Sequence, residues 1–150
     1  MIQLSNKSQQ DIIDMVCQLL DWYEQNASNA DILTLLDFQD KLSLLSVNLA
    51  HITAVNKGSY LRAYFNRKLT FSMKKLTFIE DGEKIGKAEE KASIQLGDVK
   101  EIEIRTHVEA DSLNLTLRQV NKVLSAAQQR LSFMKSEKQR MEALTHDNKS

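Results

Sequence analysis

Six cations, Lys57, Arg62, Arg67, Lys68, Lys74 and Lys75, are interleaved with Tyr60, Tyr64, Phe65 and Phe71. Cations alternating with rings suit a single-stranded nucleic acid, with phosphates on the cations and bases stacked on the rings. The same pattern arises when the rings are core and the cations pair with acidic neighbours. A second basic patch, Arg130, Lys135, Lys138 and Arg140, also fits a solvated helix end. Glu103, His107 and Asp111 stand at i, i+4 and i+8, so a helix would place them on one face. Such a ladder can ligate a metal or titrate near neutral pH. One helix alone offers poor metal geometry, so a solvated ladder and no metal site are expected. His51 and His146 have no motif around them, and Cys17, the only cysteine, reads as a small buried apolar residue rather than a reactive thiol. The chain has no Gly-rich phosphate loop, no Gly-x-Ser-x-Gly elbow, no His-Glu-x-x-His and no carboxylate pair in a catalytic frame. No cofactor is implied, and the expectation is that the protein is not an enzyme.

The elements that position these residues are read from periodicity. Between Ala88 and Met141, counting in alternating fours and threes from Ala92 gives fifteen positions, twelve of them apolar, interrupted by Glu103, Thr106 and Lys138. This is the 3.5-residue repeat of a helix that must bury a narrow stripe against a partner. A competing local reading makes a short strand of 99–108, where Ile102, Ile104, Thr106 and Val108 alternate after Gly97-Asp98. The helix is preferred because the register continues on both sides. The chain contains no proline and only four glycines, which favours few, long helices. Residues 1–7 read as a loose lead-in. Ser8, with Asp11 three residues on, marks the start of a helix over about 9–25. Its stripe is Ile12, Ile13, Val16, Leu19, Leu20 and Tyr23, flanked by Trp22, a candidate partner anchor. After a polar break capped by Ser28 or Asn29, a second helix begins near Asp31 with a seam of Leu35, Phe38, Leu42, Leu45, Leu49 and Ile52. The stripe turns polar at Asn56 and Ser59, and Gly58 offers a kink or break, so one helix over 31–79 and two in line both fit. Beyond it a phase-shifted stripe reads Leu61, Phe65, Leu69, Ser72, Leu76 and Ile79.

Asp81-Gly82 is the strongest turn signal. Folding there gives an all-α architecture: a long antiparallel hairpin, about 31–79 with 87–141, plus the shorter N-terminal helix, packed like a coiled coil as a single domain over 1–141 with a frayed tail at 142–150. Arms of this length would span roughly 60–75 Å. A fold at about residue 84 sets Glu103 and Thr106 opposite Phe65, Asn66 and Arg62, and Arg62, Asn66, Glu103 and Thr106 form a candidate polar layer that fixes register. It also aligns complementary charge. Residues 56–80 hold six basic and one acidic group (net +5) and 81–112 hold five and nine (net −4); residues 1–55 hold two and seven (net −5) and 113–150 hold seven and three (net +4). With twenty basic and twenty acidic residues overall, no global attraction to nucleic acid or membrane is expected. No leader pattern and no membrane-length apolar run is seen, so a cytoplasmic location is expected.

Two places carry a resemblance. Lys87-Ala88-Glu89-Glu90-Lys91-Ala92 opens a long helix after a glycine turn, and Val123 to Lys135 ends in Arg130-Leu131-Ser132 and Lys135. Over about 80–137 the chain resembles small helical-hairpin bacteriophage and prophage proteins of unknown function. The resemblance implies a phage-encoded accessory protein in the host cytoplasm. The leading expectation is a non-enzymatic protein-protein interaction protein that acts through helix faces on a host or phage protein, and that can also form homo-oligomers. The alternative is a nucleic-acid-binding accessory protein of replication or recombination using the basic 57–75 segment. A third is a small-ligand binder at the polar layer.

Overall fold

The computed structural model describes residues 8–149, so the lead-in expected over 1–7 lies outside the described residues. The fold is all-α: α1 (Gln9–Asn26), α2 (Ile32–Glu80), α3 (Ile85–Ile94) and α4 (Gly97–Asp147), with no strand among the described residues. The stretch 99–108 is helical, so local β propensity yields to the register of the long helix. Contacts divide the chain into two compact units, one formed up to His51 and from Leu115 onward, the other from Ile52 to Asn114.

The first unit packs α1, the start of α2 and the C-terminal part of α4. Ser8 and Asp11 make a reciprocal capping box: the Ser8 Oγ accepts from the Asp11 N–H at 3.2 Å, and Asp11 Oδ2 accepts from the Ser8 N–H at 3.1 Å. Ile12 and Val16 are buried, as are Leu35, Phe38, Leu42, Leu45 and Leu49 from α2, and Val120, Ala127 and Leu131 from α4. These are the positions marked by the 3–4 spacing. The cap of α2 is Asp31 rather than Ser28 or Asn29: its Oδ1 accepts from the Thr34 N–H at 2.7 Å. A carboxylate two residues nearer the helix satisfies an orphan donor of the first turn directly. The Ser28 carbonyl instead accepts from Arg130 at 2.9 Å, which ties the turn between α1 and α2 to α4. Helix α4 continues past Met141 to Asp147 with its last turns exposed.

The second unit holds Ile52–Glu80 of α2, all of α3 and Gly97–Asn114 of α4. Lys75 meets Glu89, Lys74 meets Gln95, Arg67 meets Glu103 and Tyr60 meets His107. The partner number climbs as the α2 number falls, so the elements run antiparallel. The reversal at 81–84 closes α2 with a Schellman turn. The Glu83 N–H donates to the Phe78 carbonyl and the Gly82 N–H to Ile79, both at 3.0 Å, with Gly82 at φ +96°. Of the two readings open at Gly58, one helix or two in line, the structure has the single helix: α2 continues through Gly58, because one glycine costs only about 1 kcal/mol, well within what packing along a long helix offsets. One sequence expectation is corrected here. The helix expected to run unbroken from Ala88 to Met141 is interrupted at Gln95–Leu96, where the Leu96 N–H donates to Ser93 rather than one turn back. Gly97 is a poor helix former, and Asp98 in the next first turn favours a fresh N-terminus. Leu96 stays buried through the break, so the seam is kept.

Two glycine substitutions therefore carry opposite signs. A Cβ at either Gly58 or Gly82 meets nothing within 4 Å, so only backbone conformation matters. Gly58→Ala is expected to stabilise by about 0.5–1 kcal/mol, and Gly82→Ala to destabilise by about 1–2 kcal/mol, because only Gly82 is left-handed. Urea denaturation of the two variants tests both; equal shifts would contradict the assignment.

Candidate interaction site

The second unit carries most of the sequence-predicted site residues, and its two helices sort them. At about 100° per residue, the covered side of α2 is reached by counting in threes and fours from Ile52 through Asn56 and Ala63 to Arg67, Thr70 and Lys74. The count never changes phase at Gly58. Large apolar residues therefore leave the seam, and small or polar ones occupy it. The core is built on Ala63, Ala88, Ala92 and Ala110, with Ile52, Leu96 and Leu113.

This phase decides which cation meets Glu103. The expected polar layer of Arg62, Asn66, Glu103 and Thr106 is not assembled. Arg62 and Asn66 are exposed, and Arg62 donates to the Ser59 Oγ at 3.5 Å. Arg67, about 140° further round the helix, pairs with Glu103 through its Nε. The two side chains are only 25% and 18% exposed. The Thr106 hydroxyl donates to the carbonyls of Ile102 and Glu103 within its own helix. Beside the ion pair, the Tyr60 ring packs on His107 with centroids 4.6 Å apart, and His107 Nε2 lies 3.4 Å from Asp111. Tyr60, Arg67, Lys100, Glu103, Ile104 and His107 line a shallow cleft of about 270 Å³. Among the described residues no group of three or more His, Cys, Asp or Glu side chains is arranged to hold a metal.

The basic cluster divides in the same way. Arg67, Lys74 and Lys75 are engaged inward: Lys75 Nζ lies 2.6 Å from Glu89 and Lys74 Nζ 3.3 Å from Gln95. Lys57, Arg62 and Lys68 are exposed, and the Lys68 ammonium sits 4.6 Å from the centre of the Tyr64 ring. In the reversal, Lys91 pairs with Glu83 and faces the Phe78 ring at 5.7 Å. The hydrogen bond from Lys91 holds the Glu83 carboxyl below its ordinary range, and those from the Thr34 side chain and backbone do the same for Asp31. Groups lowered on folding stabilise above their unfolded values, about pH 4, and that stability is lost as pH falls through the lower folded values. Glu83→Gln and Asp31→Asn should therefore be less stable than the parent at pH 7 and indistinguishable from it near pH 2, by urea titration at both.

The feature that sequence reasoning placed wrongly is the stripe Leu61, Phe65, Leu69 and Leu76. It was expected to face α4. The structure places it, together with Met73, on the opposite side of α2, with these five residues 41–62% exposed. The available signal was Ala63, which continues the Ile52 count. Trp22 is half-buried, stacked on Phe38 at 5.2 Å beside Tyr23, and holds α1 to α2. Arg130 of the second basic patch serves the turn described above, while Lys135, Lys138 and Arg140 are exposed. No helix among the described residues is long and apolar enough to cross a membrane. Comparison of the chain with protein families, curated proteins and solved structures returns no significant match.

Proposed function

We propose that the protein is a non-enzymatic interaction protein that binds another protein through the outward face of α2 in its second unit. The observation that carries this reading is the stripe Leu61, Phe65, Leu69, Met73 and Leu76, exposed on one side of a helix whose other side is packed. Isolated exposed leucines are ordinary, but a contiguous apolar helix face is the form taken by helix-mediated recognition. The resemblance over 80–137 supports a phage-encoded protein that meets a host or phage target in the host cytoplasm. The nucleic-acid reading is the weaker one, because three of the six cations are spent on Glu103, Gln95 and Glu89.

The test is a photo-crosslinking amino acid placed at Phe65 in the full chain in cells, with exposed Gln128 as the control position. Protein adducts at Phe65 and none at Gln128 are expected. Absence of protein adducts at Phe65, or adducts to nucleic acid in their place, overturns the reading.

A further inference from the structure

We infer that the occupant of this face is a second copy of the chain, its α2 laid antiparallel across the first about a two-fold axis at Leu69. The inference rests on the reading of 61–76 as an interaction face. The spacing of the stripe is nearly symmetric: about Leu69, Phe65 of one copy falls opposite Met73 of the other, Leu61 falls opposite Leu76, and Leu69 meets itself. A self-complementary patch of this kind is what a two-fold interface requires. Given their 41–62% exposure, the five side chains offer roughly 600 Å² per copy, so pairing would bury roughly 1,200 Å² in all, the lower edge of stable, specific interfaces.

Charge fits the same register. Arg62 and Glu80 are both exposed and stand eighteen positions, five full turns, apart, which puts both within about 20° of Leu69 around the helix, one near each end of the stripe. An antiparallel two-fold at Leu69 brings matching sides of the two helices together, so Arg62 of one copy lies about one turn from Glu80 of the other. Helical side chains lean toward their own N-terminus, which closes that gap from both sides. The pair occurs twice. The like charge nearest the axis, Lys68, is drawn onto the Tyr64 ring on the side away from the stripe.

The test is light scattering coupled to size exclusion on the full chain over a concentration series. The wild type is expected at twice the monomer mass. Leu69→Glu sets two carboxylates against each other at the axis and should weaken the dimer on the order of 100-fold with unchanged far-UV circular dichroism. Arg62→Glu should weaken it roughly tenfold, and Arg62→Glu combined with Glu80→Arg should restore it. A wild-type monomer at about 100 μM, a concentration at which an interface of this size is populated, overturns the inference. So does a dimer that Leu69→Glu leaves intact. If the protein is monomeric yet Phe65 still crosslinks to a different protein, the interaction reading stands and the self-association fails alone.

Discussion

Phe38→Ala is expected to lower the unfolding free energy by about 3–5 kcal/mol, enough to approach the whole stability of a small domain. Phe38 is 3% exposed, and its ring stacks on both Trp22 and Tyr23 with centroids 5.2 Å apart. Truncation removes the buried ring and leaves a cavity between α1 and α2. It also strips two aromatic neighbours of their partner, which adds about 0.5–1.5 kcal/mol per stacked pair to area burial. Trp22 is the only tryptophan, so its fluorescence reports the site directly in a urea titration. Leu33→Ala, at a position 78% exposed, serves as the control and should shift stability by less than about 0.5 kcal/mol. A Phe38→Ala loss no larger than that of the control would mean that α1 is not held by this stack.

The second large effect concerns Arg67 and Glu103. Removing one partner strands a charge in a largely covered place. For fully buried pairs this costs about 3–5 kcal/mol; with a fifth to a quarter of each side chain in solvent, about 1–3 kcal/mol is expected for Glu103→Ala. Replacing both together, Arg67→Met with Glu103→Leu, should return to within about 1 kcal/mol of the parent, because apolar packing substitutes for a desolvated pair. The double-mutant cycle separates this from simple loss of packing. If the double variant is as unstable as the sum of the singles, the pair is not coupled.

Much of this architecture was legible in the chain. The seam from Ala92 to Met134 is covered at nearly every position named for it, and so is Leu35 to Ile52, because apolar size and the 3–4 spacing agree there. The Asp81-Gly82 reversal was legible for the same kind of reason: a left-handed position has few alternatives to glycine. The reading failed where size and spacing disagree. From Ile52 onward, spacing leads to Asn56, Ala63, Arg67 and Thr70, while size leads to Leu61, Phe65, Leu69 and Leu76. Pairing by number about a fold at residue 84, with no check of which side of α2 is covered, puts Arg62 in the polar layer. Following spacing would have placed Arg67 there. A surface able to bind something imitates a core in sequence, since both are apolar stripes at helical intervals. Only the covering partner distinguishes them.

The reversal at 81–84 has a kinetic consequence. Its contacts are close in sequence: Glu83 with Lys91 and Lys75 with Glu89 span eight and fourteen residues, whereas Arg130 reaches Ser28 across 102. Short loops close at lower entropic cost, so the hairpin tip is expected to form early and the leucine-rich helices to join late. In a chevron experiment Gly82→Ala should then act mainly by slowing folding, and Phe38→Ala mainly by speeding unfolding. The part of the molecule with the largest side chains in its core would thus be assembled last, on a scaffold begun by the part whose core rests mainly on alanines.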